Sequence, residues 1–224
     1  MRSMAPRPRP EAITERTILD LVHGLCGIPA ASFTRDTVLL EIGRTVLDPG
    51  SLESYLFFRR SHYTRNLIHR DDLFEVVAIG WEPGQASAIH NHRGQECWMG
   101  VPIGRLEVRN YRLLEKDEAA RTCRLEPSDR YVIDPRHPAA VDPKEPIHAV
   151  LNLPEYAARA VSVHVYSRPF DSCEIYQPEQ GRYYDVPLGY TSRFGVLCPG
   201  ERAEAGLAAA GRATDTGRIA AGRP

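Results

Sequence analysis

The chain has 224 residues, enough for one large domain or two small ones, and its 28 Lys+Arg against 29 Asp+Glu leave a formal charge of −1. That balance, with a pI near 6.7, excludes a nucleic-acid-binding domain of pI above ~9, and no run approaches the ~18 apolar residues of a membrane span. The 17 Gly and 18 Pro favour many turns and short strands over a helical bundle.

In chain order, residues 1–10 are basic with no apolar region behind them, which reads as a flexible start and not a secretory signal. Residues 11–58 carry helical periodicity. Ile18, Leu19, Leu21, Val22 and Leu25 form one apolar face after Thr17, and Val38, Leu39, Leu40, Ile42 and Val46 a second after Asp36. Pro49-Gly50 then breaks the chain, and Ser51 is expected to cap a third helix through Phe57 or Phe58. Over 59–200 the period changes to two. Strands are expected at Phe74–Trp81, Cys97–Val101, Leu106–Tyr111, Tyr131–Ile133, His148–Leu151 and Ala160–Tyr166, with Gly, Pro, Asp and Asn at the turns, including Asp142-Pro143. Residues 201–224, rich in Ala and Gly without an aromatic, read as a disordered tail. The expectation is one domain: helices packed on a small antiparallel barrel. Its five cysteines, Cys26, Cys97, Cys123, Cys173 and Cys198, are odd in number and include no CxxC pair, so reduced thiols in a cytoplasmic protein are expected, and a monomer is the default because nothing in the sequence demands an oligomer.

Three segments carry chemistry. In Ala88-Ile-His90-Asn-His92, strand spacing would turn both imidazoles the same way, a pattern for a metal site; the competing possibility is two surface or core histidines. His148, opening an apolar run, is the best candidate for a third ligand, and three neutral nitrogens would leave coordination positions open for catalysis. In Ala160-Val-Ser162-Val-His164-Val-Tyr166, the valines face one way and Ser162, His164 and Tyr166 the other. Either this is an edge strand with a polar outer face, or the three form a hydrogen-bonded relay inside a barrel. Tyr63 and Arg65 share a parity, and an inward Arg65 would clamp a carboxylate; an exposed arginine is the alternative.

Residues 84–104, with Gly84, the HxH of His90 and His92, and a closing Gly104, resemble the first cupin motif, and His148 with Asn152 resembles the end of the second. Within the cupins, five separated pieces resemble the thiol dioxygenases, most specifically the cysteine dioxygenase family. These are Tyr63-Thr-Arg-Asn66, the HxH, Cys97, His148, and Ser162-Val-His-Val-Tyr166 followed by Phe170-Asp-Ser-Cys173. The similarity runs from about His62 to Gly195. It implies a mainly β cupin, a jelly-roll barrel with N-terminal helices packed against it. It further implies one Fe(II) per chain on His90, His92 and His148, a small thiol and O2 as reactants, and neither nucleic-acid nor membrane partners. Arg65, helped by Tyr63, would hold the substrate carboxylate. Tyr166 would set its hydroxyl near bound oxygen, positioned by His164 and Ser162, and a Cys97–Tyr166 thioether would fix its rotamer. Cys173 would sit near the pocket.

Two departures bear on the expected site. Glu96 stands where a general cupin has a carboxylate ligand, which would give a His₃Glu site and open non-oxidative cupin chemistry, as in a zinc or nickel isomerase or a binding module. Arg168, in Ser167-Arg168-Pro169, would bring a second cation to the pocket, opening 3-mercaptopropionate or mercaptosuccinate as substrates beside L-cysteine.

Overall fold

The computed structural model describes residues 14–135, 139–141 and 146–199; the expected flexible start, the tail and the Asp142-Pro143 turn lie outside them. Two helices come first, α1 (Ile18–Cys26) and α2 (Arg35–Gly43), flanked by the short parallel pair β1 (Thr14–Arg16) and β2 (Thr45–Leu47). Then follow β3 (Thr64–Arg70), β4 (Phe74–Trp81), β5 (Ile89–His90), β6 (Cys97–Ile103), β7 (Leu106–Asp117), β8 (Thr122–Ile133), β9 (Ala139–Ala140) and β10 (Ile147–Leu151). The last are β11 (Ala160–Ser167), β12 (Ser172–Gln177), β13 (Arg182–Pro187), β14 (Ser192–Arg193) and β15 (Val196–Leu197). Strands β10-β5-β12-β13-β8-β7 close on themselves, and β15-β14-β3-β4-β11-β6-β9 form a seven-stranded sheet. The fold is mainly β, the jelly-roll architecture of a cupin, with the two helices on its outside.

Strand parity decides what faces the interior. On β4, Val77, Ile79 and Trp81 enter the core between the two layers, together with Leu106, Val108, Ile133, Val150 and Ile175 from the closed layer. Phe74, Val76 and Ala78 point the other way, as do Val161, Val163 and Val165 of β11, and these pack against Ile18, Leu21, Val22 and Leu25 of α1 and Val38 and Ile42 of α2. Burying each such side chain stabilises by roughly 1.5–3 kcal/mol. Strand β11 lies between β4 and β6, so it is not an edge, and its polar side chains face the interior.

Several sequence expectations are corrected. Thr17 caps α1 in a capping box with Asp20, but Leu19 is 48% exposed, since it lies about 100° from the Ile18–Leu21–Val22–Leu25 stripe. Helix α2 starts after Thr34, not Asp36; Leu40 is exposed, and Val46 lies on β2, also exposed. No third helix reaches Phe57. A 3₁₀ turn spans Pro49–Leu52 under an Asp48 cap, and the Ser51 hydroxyl instead accepts the amide of Ile18 and so joins the two segments. The β7–β8 hairpin outruns the apolar alternation, because charges pair across the ladder where it leaves the core (Arg112 with Glu126, Arg124 with Glu115). At Gly104, φ is +74° and a Cβ would lie 2.7 Å from the Arg159 carbonyl, so only glycine fits the β6–β7 turn.

Candidate active site

The interior between the layers holds a small cavity lined by Tyr63, Arg65, Trp81, His90, His92, His148, His164, Tyr166 and Cys173, with Ile79, Val150, Phe170 and Leu188 as apolar walls. His90 pairs in register with His148 of β10 and with Ile175 of β12, which brings two imidazoles together across one ladder, their rings tilted by 59° at 4.7 Å between centroids. Strand β5 ends at His90, so the HxH is not one continuous strand. His92 follows in a loop, and its ring still comes within 5.1 Å of His90 and 4.9 Å of His148. Asn91 points away and anchors that loop. Its amide nitrogen donates to Glu174 Oε2 at 2.7 Å and to the Tyr176 hydroxyl at 2.9 Å, and Lys116 completes the network at 2.8 Å from Glu174 Oε1.

One ligating atom from each of the three histidines lies within 4.8 Å of the others. Burial pulls the pKa of His90 down to about 4, against the Ala88 carbonyl and with Arg65 adding to the effect, and burial with mutual repulsion holds His92 and His148 well below the ordinary value. All three are therefore neutral at pH 7. His90 Nδ1 donates to the Ala88 carbonyl at 2.9 Å, which leaves the lone pair on Nε2. An imidazole nitrogen of His148 likewise donates to the Pro146 carbonyl. His92 Nδ1 is buried without a hydrogen-bond partner, a state that costs about 1–3 kcal/mol. Neutral, oriented and under-satisfied imidazoles are a donor set that fits a divalent metal. Among the described residues the triad has no carboxylate beside it. Glu96 is half-buried and outside the cavity lining, and its carbonyl accepts the Ser167 amide.

Arg65 is 5% exposed, and its guanidinium keeps its charge. Nε donates to the Gly189 carbonyl at 3.2 Å, while the Tyr166 and Tyr190 rings stand 5.8 and 5.7 Å from the guanidinium carbon. Nη2 is buried with no partner. Behind this group, Glu75 is fully buried and bonded to the Tyr190 hydroxyl and to Arg70. A charged donor left open beside three neutral imidazoles makes the cavity selective for anions.

On β11, Ser162 Oγ lies 2.8 Å from His164 Nε2, and Tyr166 Oη 3.2 Å from His164 Nδ1. Burial, with Arg65 and His90, lowers the His164 pKa to about 3, so one ring nitrogen carries hydrogen and the other accepts. Trp81 decides which. Its indole N–H, a donor only, is 2.9 Å from Ser162 Oγ. Ser162 is fully buried, and its described contacts offer its own hydrogen no acceptor other than His164 Nε2. The chain therefore runs from Trp81 N–H to Ser162 O–H to His164 Nε2, and then from Nδ1–H to the Tyr166 oxygen. Tyr166 accepts from His164 and so keeps its own phenolic proton to donate, with the Cys97 thiol and the Arg65 guanidinium as its nearest polar neighbours. Burial first, then Cys97, holds the Tyr166 pKa well above its ordinary value, so that proton stays on.

Of the other expected site residues, Cys97 is buried and pairs directly across the ladder with Tyr166, and burial pushes its thiol pKa up. Cys173 lines the cavity as a thiol raised to about 11, chiefly by burial. Arg168 is a correction: it is exposed and does not line the cavity. At φ +57° the backbone turns out of β11, and the Arg168 amide bonds the Leu73 carbonyl at 2.7 Å. Trp81, Glu75, Gly189 and Tyr190 were missed. A glutamate at an inward position of the otherwise apolar run Phe74–Trp81 was the available signal for the second of these.

Among known families, the chain matches "Cysteine dioxygenase type I" over residues 8–179, which takes in both helices and stops short of Gly195. The chain belongs to the cysteine dioxygenase type I family. Cysteine dioxygenase type 1 of Homo sapiens is 26% identical over 195 residues, covering 84% of this chain and 93% of that protein. The protein of the same name from Rattus norvegicus is 27% identical over 197 residues, covering 85% and 94%. Among solved structures, a Klebsiella pneumoniae protein with a double-stranded β-helix domain covers 53% of this chain and 82% of its own, at TM-score 0.38 and 17% identity. Membership in the cysteine dioxygenase type I family supports a metal-dependent thiol dioxygenase that uses a small molecule and O2. No described helix is long and apolar enough to cross a membrane.

Proposed function

We propose that this chain is an iron(II) thiol dioxygenase that converts L-cysteine and O2 to cysteine sulfinic acid. One observation carries this reading. The unpartnered Nη2 of Arg65 opens into the same buried cavity as three neutral, converging imidazoles, so a carboxylate and a thiol of one small molecule can be held side by side. His90, His92 and His148 would hold the metal. Bound iron(II) would supply a Lewis acid that ionises the substrate thiol and a redox centre that activates dioxygen. The balance closes without another reductant, since both oxygen atoms end on sulfur and the thiol supplies the electrons.

The chain's own residues bind, orient and shield. Arg65 fixes the carboxylate, and Tyr63, stacked on Trp81 at 4.7 Å, forms the neighbouring wall. Phe170, Leu188, Ile79 and Val150 exclude water, which strengthens each polar contact inside. Tyr166 donates its hydroxyl proton toward oxygen, in the direction set by His164, Ser162 and Trp81. Trp81→Phe is therefore expected to lower kcat about 5–20-fold at near-constant KM, from the loss of one hydrogen bond of about 1–1.5 kcal/mol and of the relay's direction. If Trp81 acts through Ser162, the double variant with Ser162→Ala loses no more than Ser162→Ala alone. Additive losses would contradict it.

The reading includes a Cys97–Tyr166 thioether. Its formation joins Sγ to a ring carbon beside the hydroxyl and removes one hydrogen from each partner, with O2 reduced to hydrogen peroxide. Mass spectrometry of the oxygen-exposed protein is expected to show a species lighter by two hydrogen atoms, absent in Cys97→Ser. That variant should keep activity within about 2–10-fold, the value of holding one rotamer.

The test of substrate is oxygen uptake by iron-loaded protein offered L-cysteine, 3-mercaptopropionate and mercaptosuccinate in parallel, with each product identified by mass. Preference for L-cysteine supports the reading. Preference for either other thiol overturns the substrate, and no uptake with any thiol overturns the dioxygenase.

A further inference from the structure

We propose that Cys26, His69 and Asp71 form a second metal site, on the surface, that takes a borderline-soft divalent cation such as Zn²⁺. One ligating atom from each of the three residues lies within 4.8 Å of the others. Cys26 Sγ is 3.9 Å and Asp71 Oδ2 3.0 Å from the same atom, His69 Nε2. That shared target rules out a nucleophile relay, which needs the acid and the thiol on opposite ring nitrogens. It also cannot satisfy both neighbours with hydrogen bonds, since one nitrogen either donates or accepts. A single cation satisfies all three. Ligands at ~2.0–2.3 Å around a tetrahedral ion stand about 3.3–3.6 Å apart, so the present spacings need shifts of only a few tenths of an ångström for the two contacts given.

Two of the ligands are already oriented. Asp71 Oδ1 accepts the amides of Leu73 at 2.8 Å and Phe74 at 2.9 Å, which turns Oδ2 toward His69. The His69 ring packs on Phe74 at 4.8 Å between centroids. The third ligand, Cys26, is exposed and is the last residue of the nine-residue helix α1, where the carbonyl end of the helix favours positive charge. With thiolate and carboxylate bound, a dication is neutralised at the release of one thiol proton, and water completes four-coordination. The set is softer than the His₃ site, so the two discriminate between metals.

Cobalt(II) added to iron-loaded full-length protein is the probe, because a thiolate ligand gives a near-ultraviolet charge-transfer band that imidazoles do not. Expected is one equivalent of Co²⁺ bound with that band, retained in His92→Ala, absent in Cys26→Ser, and with affinity weakened by about 10-fold or more in His69→Gln, which removes a ligand. Cys26→Ser, at an exposed position, should leave thiol-dependent oxygen uptake unchanged. Absence of the band at saturating Co²⁺, or an equal band in Cys26→Ser, overturns the site.

Discussion

Arg65→Gln is expected to lower kcat/KM for L-cysteine about 10²–10³-fold, with the loss mostly in KM. A buried guanidinium bound to a carboxylate makes charge-assisted hydrogen bonds worth about 1.5–3 kcal/mol each, and glutamine keeps the polarity of the site while removing its charge. The structure sharpens the pattern across substrates. Arg168 is exposed, so Arg65 is the cation among the cavity's described lining residues. 3-Mercaptopropionate and mercaptosuccinate should therefore lose as much as L-cysteine. Cysteamine, which has a thiol and an amine but no carboxylate, should change by less than about 3-fold, since it forfeits no ion pair. Steady-state kinetics on the four thiols check this. Sparing of mercaptosuccinate alone would mean that a second cation reaches the substrate.

His92→Ala is expected to have the larger effect, an activity loss of about 10³-fold or more with iron content falling from near one per chain to a small fraction. Two neutral nitrogens hold a divalent ion far less well than three, because one of the lone pairs that replace the ion's hydration is lost. Thermal denaturation separates metal loss from misfolding. Iron should raise the melting temperature of the parent protein, because a ligand that binds only the folded state stabilises it by RT ln(1 + [L]/Kd), and this rise should vanish in His92→Ala. The metal-free proteins should differ far less, since His92 Nδ1 has no partner to lose. A metal-induced rise preserved in His92→Ala would remove His92 from the site.

Much of the site is legible in the sequence, because parity on a strand is a strong constraint. The alternation in β11 gave both the valines packed on the helices and the inward Ser162, His164 and Tyr166. The sequence singles out the three histidines that the fold brings together, although through a continuous strand that in fact ends at His90 and leaves His92 on a loop. What failed depended on features that spacing does not encode. Arg168 is one residue beyond β11 and was expected in the pocket, yet a single positive-φ residue turns the backbone outward. Glu96, at the carboxylate position of a general cupin, was an open alternative to the three-histidine set, and it stays outside the lining. Trp81 looked like core and is core, but its single N–H sets the direction of three hydrogen bonds, and that depends on a cross-strand pairing of β4 with β11. Arg65 resembled many exposed arginines until Gly189 and Tyr190, more than 120 positions later, were folded against it.

The central claim, that one thiol receives both atoms of dioxygen in this cavity, is tested most directly by turnover of iron-loaded protein under ¹⁸O₂ with mass analysis of the sulfur product. The account predicts a sulfinic acid in which both oxygens carry the label, formed one for one with O2 consumed. A disulfide product with hydrogen peroxide, or a sulfinate with oxygen drawn from water, would contradict it.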